Sequence, residues 1–139
     1  EEPSSLDVNL KQTVEFRCPD GSADIYLLLA GLAVAARHGF EMENGTQYAR
    51  DRYVDVNIFD ERHREVLARL NRLPASCEES ARRLEEHRAV YERHGVFSPR
   101  LIDGLVARLA AFRDADLRRE LAGDEEKVRK LVETYFYCG

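Results

Sequence analysis

Tryptophan is absent from this 139-residue sequence, methionine occurs once, and cysteine occurs three times, at Cys18, Cys77 and Cys138. An odd number of widely spaced cysteines does not make a disulfide framework; it fits a reducing compartment, and the expected address is cytoplasmic. No apolar run approaches the roughly 20 residues that span a bilayer, which excludes a transmembrane helix, and no membrane partner is expected. An excess of basic charge is missing too. With 26 acidic against 21 basic side chains the net charge is −5, so nothing attracts a phosphate backbone and no nucleic acid partner is expected. Met does not stand at residue 1, and no basic stretch followed by an apolar one opens the chain. Neither a signal peptide nor a natural start is therefore visible, and the chain is expected to be part of a longer one. What is present, 44% hydrophobic with 34% charged residues, is the composition of a globular domain with a core rather than of a disordered segment.

Residues 1–12, EEPSSLDVNLKQ, are polar and carry Pro3, and are expected to be a flexible lead-in. From Thr13 to Arg17 the residues alternate, with Val14 and Phe16 on one side and Thr13, Glu15 and Arg17 on the other, the period of a strand with one polar face. Cys18-Pro19-Asp20-Gly21 breaks this pattern with a turn. Asp24 can then cap a helix over Ile25 to Ala36, whose only polar side-chain group is the Tyr26 hydroxyl, with a stop at Arg37-His38-Gly39. Being apolar all round, that helix needs cover on every side, and amphipathic neighbours in this chain can supply only part of it.

The remainder reads as helices. Residues 43–53 mix helix and turn around Asn44-Gly45, and residues 60–73 carry a stripe of Val66, Leu67, Leu70 and Leu73. Ser76-Cys77-Glu78-Glu79 is a capping box opening a helix expected to run to about His94, with Ala81, Leu84, Val90 and Tyr91 on its buried side. Ser98-Pro99 opens the next, with Leu101, Leu105, Leu109 and Phe112 as its stripe and Ala122-Gly123 as its end. Residues 124–137 close the chain with Val128, Leu131, Val132, Tyr135 and Phe136. The fold class is mainly α with one strand near the N-terminus. A lone strand leaves its backbone groups unpaired on both edges. It fits better as the last strand of a sheet whose other strands lie upstream, and in isolation residues 1–22 are expected to be partly disordered or to pair with another chain.

Glu15 and Arg17 are the candidate site residues, because a strand places both on one face. A carboxylate suits a hard cation such as Mg²⁺, and a guanidinium holds a carboxylate or phosphate by two parallel hydrogen bonds. On pattern alone they also suit a solvated surface pair. The four histidines, His38, His63, His87 and His94, have no partners at zinc-ligand spacing and read as solvent-facing or capping groups. The Glu-Arg run EESARRLEEHR reads as a solvated helix face.

The segment VEFRCPDGSADIYLLLAGLAVAARHG resembles the stretch of glutamine synthetases in which a strand reading roughly E-x-R-x-P-D precedes a helix that starts Asn-Pro-Tyr-Leu and runs on to Ala-Gly. Glu15, Arg17, Pro19, Asp20, Tyr26 and Leu27 match that motif. Downstream, LPASCEESARRLEEH and HGVFSPRLIDGLV resemble two further segments of the family, in the same order and at similar spacing. The resemblance covers nearly all of residues 13–139. It implies a helical C-terminal fragment of an α+β catalytic domain, in which residues 13–21 are the final strand and turn of the catalytic sheet and residues 22–139 the helical C-terminal part.

By the same resemblance Glu15 is a ligand for one of the active-site divalent metals, Mg²⁺ or Mn²⁺. Arg17 is the substrate-binding and catalytic arginine, close to glutamate and the transferred phosphoryl group. The implied reaction is ATP-dependent: glutamate is phosphorylated on its γ-carboxylate and ammonia then displaces phosphate. The implied partners are glutamate, ammonia, ATP and further copies of the chain in a ringed oligomer. Residues 131–137 either help join those subunits, as a C-terminal segment does in bacterial members, or pack on this chain's own helices. The other metal ligands, the nucleotide-binding residues and the ammonia-site acid would lie upstream, so the fragment alone is expected to be inactive.

Departures from the family pattern are local. Asp24-Ile25 stands in place of Asn-Pro, and Gly21 in place of a second proline. Asn57-Ile58-Phe59-Asp60 is the nearest match to the Asn-Leu-Tyr-Asp segment adenylylated in some bacterial members; Phe59 lacks the hydroxyl, which implies no such switch here. Two alternatives remain at this stage: a γ-glutamyl-amine (polyamine) ligase of the same superfamily, and a non-catalytic helical interaction module in which Glu15 and Arg17 are incidental.

Overall fold

Short polar side chains set where the four longest helices begin. In the computed structural model, which describes residues 13–19, 21 and 23–136, the Asp24 carboxylate accepts hydrogen bonds from the backbone N–H of Tyr26 and Leu27 and opens α1, Ile25–Glu41. Ser76 accepts from Glu79 N–H at 3.0 Å and opens α4, Cys77–Glu86. Ser98 does the same for Leu101 at the start of α6, Pro99–Ala110, where Pro99 occupies a first-turn position that needs no donor. Asp124 caps α8, Glu125–Tyr135. Shorter helices lie between: α2, Gly45–Arg50; α3, Arg64–Arg69, entered through a 3₁₀ turn at Glu61–His63; α5, Arg88–Glu92; and α7, Leu117–Leu121. The described part of the chain is mainly helical.

The strand expected at residues 13–17 is not formed. Residues 13–19 have no regular secondary structure and are exposed throughout, because no other strand stands among the described residues to exchange backbone hydrogen bonds with them. The lead-in expected at residues 1–12, the turn residue Asp20, and Tyr137 and Cys138 lie outside the described residues.

Four of the expected helices have different limits. The first runs past Gly39 to Glu41, since an apolar helix with only one glycine near its end loses little by continuing. The helix expected over 60–73 shrinks to the 3₁₀ turn plus α3 and ends at Leu70, leaving Leu73 exposed in extended chain. The run expected from 76 to 94 is split at His87 into α4 and α5, and Gly95, with φ +68°, completes the stop.

The run expected over 99–122 is likewise split, into α6 and α7. At the break Arg113 adopts the left-handed region with φ 50°, a conformation that a side chain with a Cβ resists. A tertiary contact holds it there: the neighbouring Asp114 carboxylate accepts from Cys77 N–H at 2.8 Å and Glu78 N–H at 3.1 Å, and Ala115 N–H donates back to Glu78 Oε2 at 3.1 Å. This clasp joins the N-terminus of α4 to the end of α6, the most extensively packed helix pair.

The core lies where α1, α5, α6 and the loop before α6 meet. Val34, Phe97 and Ile102 are buried, and Leu27, Ala30, Leu84, Val90, Tyr91, Leu101 and Val106 pack around them. The Tyr91 and Phe97 rings meet edge to face, with centroids 5.7 Å apart. Ile102, fully buried, is the centre of the α6 stripe in place of Leu105 and Leu109, and Phe112 at the far end of the expected stripe is exposed and leans on Tyr135. Only one side of α1 faces this core. Ile25, Tyr26, Leu29 and Phe40 stand out from it, Phe40 with 91% of its surface exposed. The expectation that this helix needs more cover than the chain supplies is met.

Candidate functional site

Alternation along residues 13–17 predicts that Glu15 and Arg17 share a face, and the side chains do meet. Arg17 Nε donates to Glu15 Oε1 at 2.8 Å and Arg17 Nη2 to Glu15 Oε2 at 2.9 Å, a two-pronged pairing of guanidinium with carboxylate. Both are open to solvent, with 81% of the Arg17 side chain and 68% of the Glu15 side chain exposed. Val14 and Cys18 beside them are exposed as well.

At the start of α1 the residues, one a departure from the family pattern and two that match it, divide by orientation. Asp24, standing where the family has Asn, is engaged in capping α1, so the substitution preserves a cap. Tyr26 points outward and is exposed, whereas Leu27 turns inward and packs against the Val34 cluster. Asn57 to Asp60 forms a turn in which Asn57 Oδ1 accepts from Phe59 N–H at 3.0 Å, and the Phe59 ring is exposed.

Glu15 could supply at most one ligand to a metal. It is a hard oxygen donor of the kind that Mg²⁺ and Mn²⁺ take, and it already presents both oxygens to a positive charge. It does not make a complete site: among the described residues no three His, Cys, Asp or Glu side chains come together to hold a metal. His94 Nε2 lies 3.3 Å from Glu41 Oε2, in a cluster that also brings Arg37 Nε to 2.7 Å and Arg93 Nη1 to 3.5 Å of the same carboxylate. The Arg37 hydrogen bond holds the Glu41 pKa below its ordinary value against a smaller desolvation effect. That cluster ties the end of α1 to the turn after α5.

Two residues organise the scaffold: Asp114, which sequence reasoning passed over, and Arg88, read with the run EESARRLEEHR as part of a solvated face but only 28% exposed. Asp114 is partly desolvated, which favours its neutral form, but the hydrogen bonds from Cys77 and Glu78 N–H outweigh this and lower its pKa. Burial, reinforced by Asp114, pushes the Cys77 thiol up. Arg88 bridges the break at His87, donating to Glu85, Glu92 and Asp103 at 2.8 Å each. The signal for Asp114 was present as two short acidic residues, Asp114 and Asp116, just where the apolar stripe stops, a composition that favours side-chain bonding to backbone over helix.

Comparison with known proteins bears on the same residues. The sequence pattern of the family described as "Glutamine synthetase, catalytic domain" matches residues 6–118, most of the chain. A protein of Thermococcus kodakarensis named glutamine synthetase is 31% identical over 127 residues, covering 89% of this chain. The chain spans 28% of the length of that relative. No solved structure matches the chain. Among the described residues no helix is long and apolar enough to cross a membrane.

Proposed function

The chain belongs to the glutamine synthetase catalytic-domain family, and from that membership we propose that it forms part of a glutamate–ammonia ligase. In this reading ATP phosphorylates the γ-carboxylate of glutamate, ammonia attacks the resulting acyl phosphate, and ADP, phosphate and glutamine leave. The match over residues 6–118 carries the proposal; the meeting of Glu15 and Arg17 on one face supports the site.

Arg17 is assigned the anionic substrate. Its fork of N–H donors suits the glutamate carboxylate and the oxygens of the phosphoryl group in transit, where fixed positive charge lowers the barrier most. Glu15 is assigned one oxygen position on a divalent cation, Mg²⁺ or Mn²⁺, which when bound would neutralise charge on the phosphates. One carboxylate cannot supply the ligands that such a cation needs, so the 139 residues alone are proposed to be inactive. The whole protein is proposed to be a cytoplasmic oligomer. Phe59, lacking a hydroxyl, removes the acceptor for adenylylation at that turn.

The test is turnover of the full-length protein, followed by phosphate release with ammonia or a polyamine as acceptor. Arg17→Ala is expected to lower turnover by at least ~100-fold, the scale of removing one oriented charge-stabilising donor. Near-normal turnover would refute the role of Arg17. Preference for a polyamine over ammonia would move the protein to the γ-glutamyl-amine ligases while leaving the phosphorylation step in place.

A further inference from the structure

We propose that the turn between α6 and α7 is a hinge with two discrete states. In the bent state of the structure it is locked by Asp114 on the first turn of α4; in the straight state residues 99–121 form a single helix that carries α7 and α8 to a new position. The inference does not depend on the reaction proposed above.

The residues of the turn do not themselves require a bend. No glycine or proline stands between Leu105 and Ala122, and the residue order predicts an uninterrupted helix there. The α-helical ladder nevertheless stops at Ala111 N–H, which donates to Ala107 O at 3.1 Å, and resumes only at Glu120 N–H, which donates to Asp116 O at 3.1 Å. In between, the chain makes tighter i→i−3 bonds, among them Phe112 N–H to Leu109 O at 3.3 Å and Leu117 N–H to Asp114 O at 3.2 Å, with Arg113 in the left-handed region at φ 50°. A residue with a Cβ resists that conformation, so the bend is imposed from elsewhere in the chain: Asp114 takes Cys77 N–H and Glu78 N–H, and Glu78 takes Ala115 N–H.

Each state keeps what the other gives up. Bending satisfies the first donors of α4 but leaves Arg113 strained and the α6 ladder broken. Straightening relieves Arg113 and restores the i→i−4 bonds of residues 112–119, and returns the α4 donors to solvent. Packing adds little to the bent state, because α7 packs mainly on α8, and the Phe112 and Tyr135 rings that meet across the break, 6.4 Å apart, are both half-exposed. The lock is therefore the small group of hydrogen bonds around Asp114, and removing one partner shifts the population toward the straight helix.

The experiment is amide hydrogen exchange on the full-length protein, read by mass spectrometry on peptides covering residues 111–119, with the peptide around Ile102 reporting an intact core. Two variants open the lock from opposite sides. Asp114→Ala removes the acceptor. Cys77→Pro removes the donor at the first position of α4, where proline fits the helix and the extended Ser76 before it, with φ −149° and ψ 162°, suits a following proline; it leaves the sequence of the turn untouched. A hinge requires both variants to slow exchange across residues 111–119 by about 3- to 10-fold, since the freed segment gains helical hydrogen bonds. Adding Arg113→Gly to Cys77→Pro should reverse the slowing, because glycine accepts the left-handed turn and weakens the helix. Equal or faster exchange in Cys77→Pro would show that the released turn frays rather than straightens, and would overturn the hinge. Slowing in Asp114→Ala alone would trace it to the helix propensity of alanine and would overturn it as well, as would slowing that survives Arg113→Gly.

Discussion

Asp114 shows how one side chain can decide where a helix ends and where another begins. It lies 37 positions from Cys77 in sequence, yet its carboxylate takes the Cys77 and Glu78 N–H groups, two of the donors that the first turn of α4 leaves unpaired. Ser76 takes a third, from Glu79. Replacing Asp114 with Ala leaves two part-buried donors without that partner, and is expected to destabilise the protein by about 1–2 kcal/mol at neutral pH, read as a lowered urea midpoint. The pH dependence follows from the sign of the shift. The pKa of Asp114 is lowered in the folded state, so its contribution is fully present above the unfolded value of about 3.9 and fades as pH falls through the folded value. Wild type and Asp114→Ala should therefore converge in stability as the solution is acidified below about pH 4. A gap that persisted unchanged at low pH would assign the effect to lost packing rather than to the carboxylate.

At the scale of elements, α6 carries the centre of the core through Ile102, which has no exposed surface. It packs with Val34 of α1 and Phe97 of the preceding loop, so a truncation there leaves a cavity bounded by three separate pieces of chain. Ile102→Ala is expected to lower stability by about 2–4 kcal/mol in a urea titration, against less than about 1 kcal/mol for Leu73→Ala, whose side chain is exposed. Three helix starts were legible in the residue order because caps act within four residues: Asp24, Ser76 and Ser98 cap as read, whereas Asp124, read as the first residue of the closing helix, caps it instead. In the capping box only the return bond differs, with Glu79 accepting from Ala75 rather than from Ser76 N–H. The breaks at His87 and Arg113 were not legible, since the forces acting there come from elsewhere in the chain: Arg88 reaching to Asp103, and Asp114 reaching to α4. For the site, alternation predicted a strand face shared by Glu15 and Arg17, and the two side chains meet although no strand forms there. It could not supply the neighbouring strand that would hold them in a sheet, and the roles assigned to them come from the family resemblance.

For the molecule as a whole, the balance of buried against exposed apolar surface is the governing fact. Among the described residues only Val34, Ala81, Phe97 and Ile102 are buried hydrophobics, while Val14, Phe16, Ile25, Tyr26, Leu29 and Phe40 remain exposed along residues 13–19 and one side of α1. Ile25, Leu29 and Phe40, with Ala33 and Ala36 between them, fall on one stripe of α1 at helical spacing. An exposed apolar stripe of that length marks a surface that another element covers, and the chain spans 28% of the length of its Thermococcus kodakarensis relative. The 139 residues on their own are accordingly expected to enhance the fluorescence of an apolar dye such as ANS and to self-associate in analytical ultracentrifugation. Leu29→Asp and Phe40→Asp together should suppress both signals while leaving the helical circular dichroism in place, because neither side chain contributes to the Val34, Phe97 and Ile102 cluster. In the full-length protein the dye signal should be low at the outset, and the same double substitution should lower expression and stability, as a charge placed in a covered apolar contact does. A full-length double variant as stable as wild type would show that this side of α1 faces solvent in the complete molecule, and the stripe would then have to be explained by a contact with a separate chain.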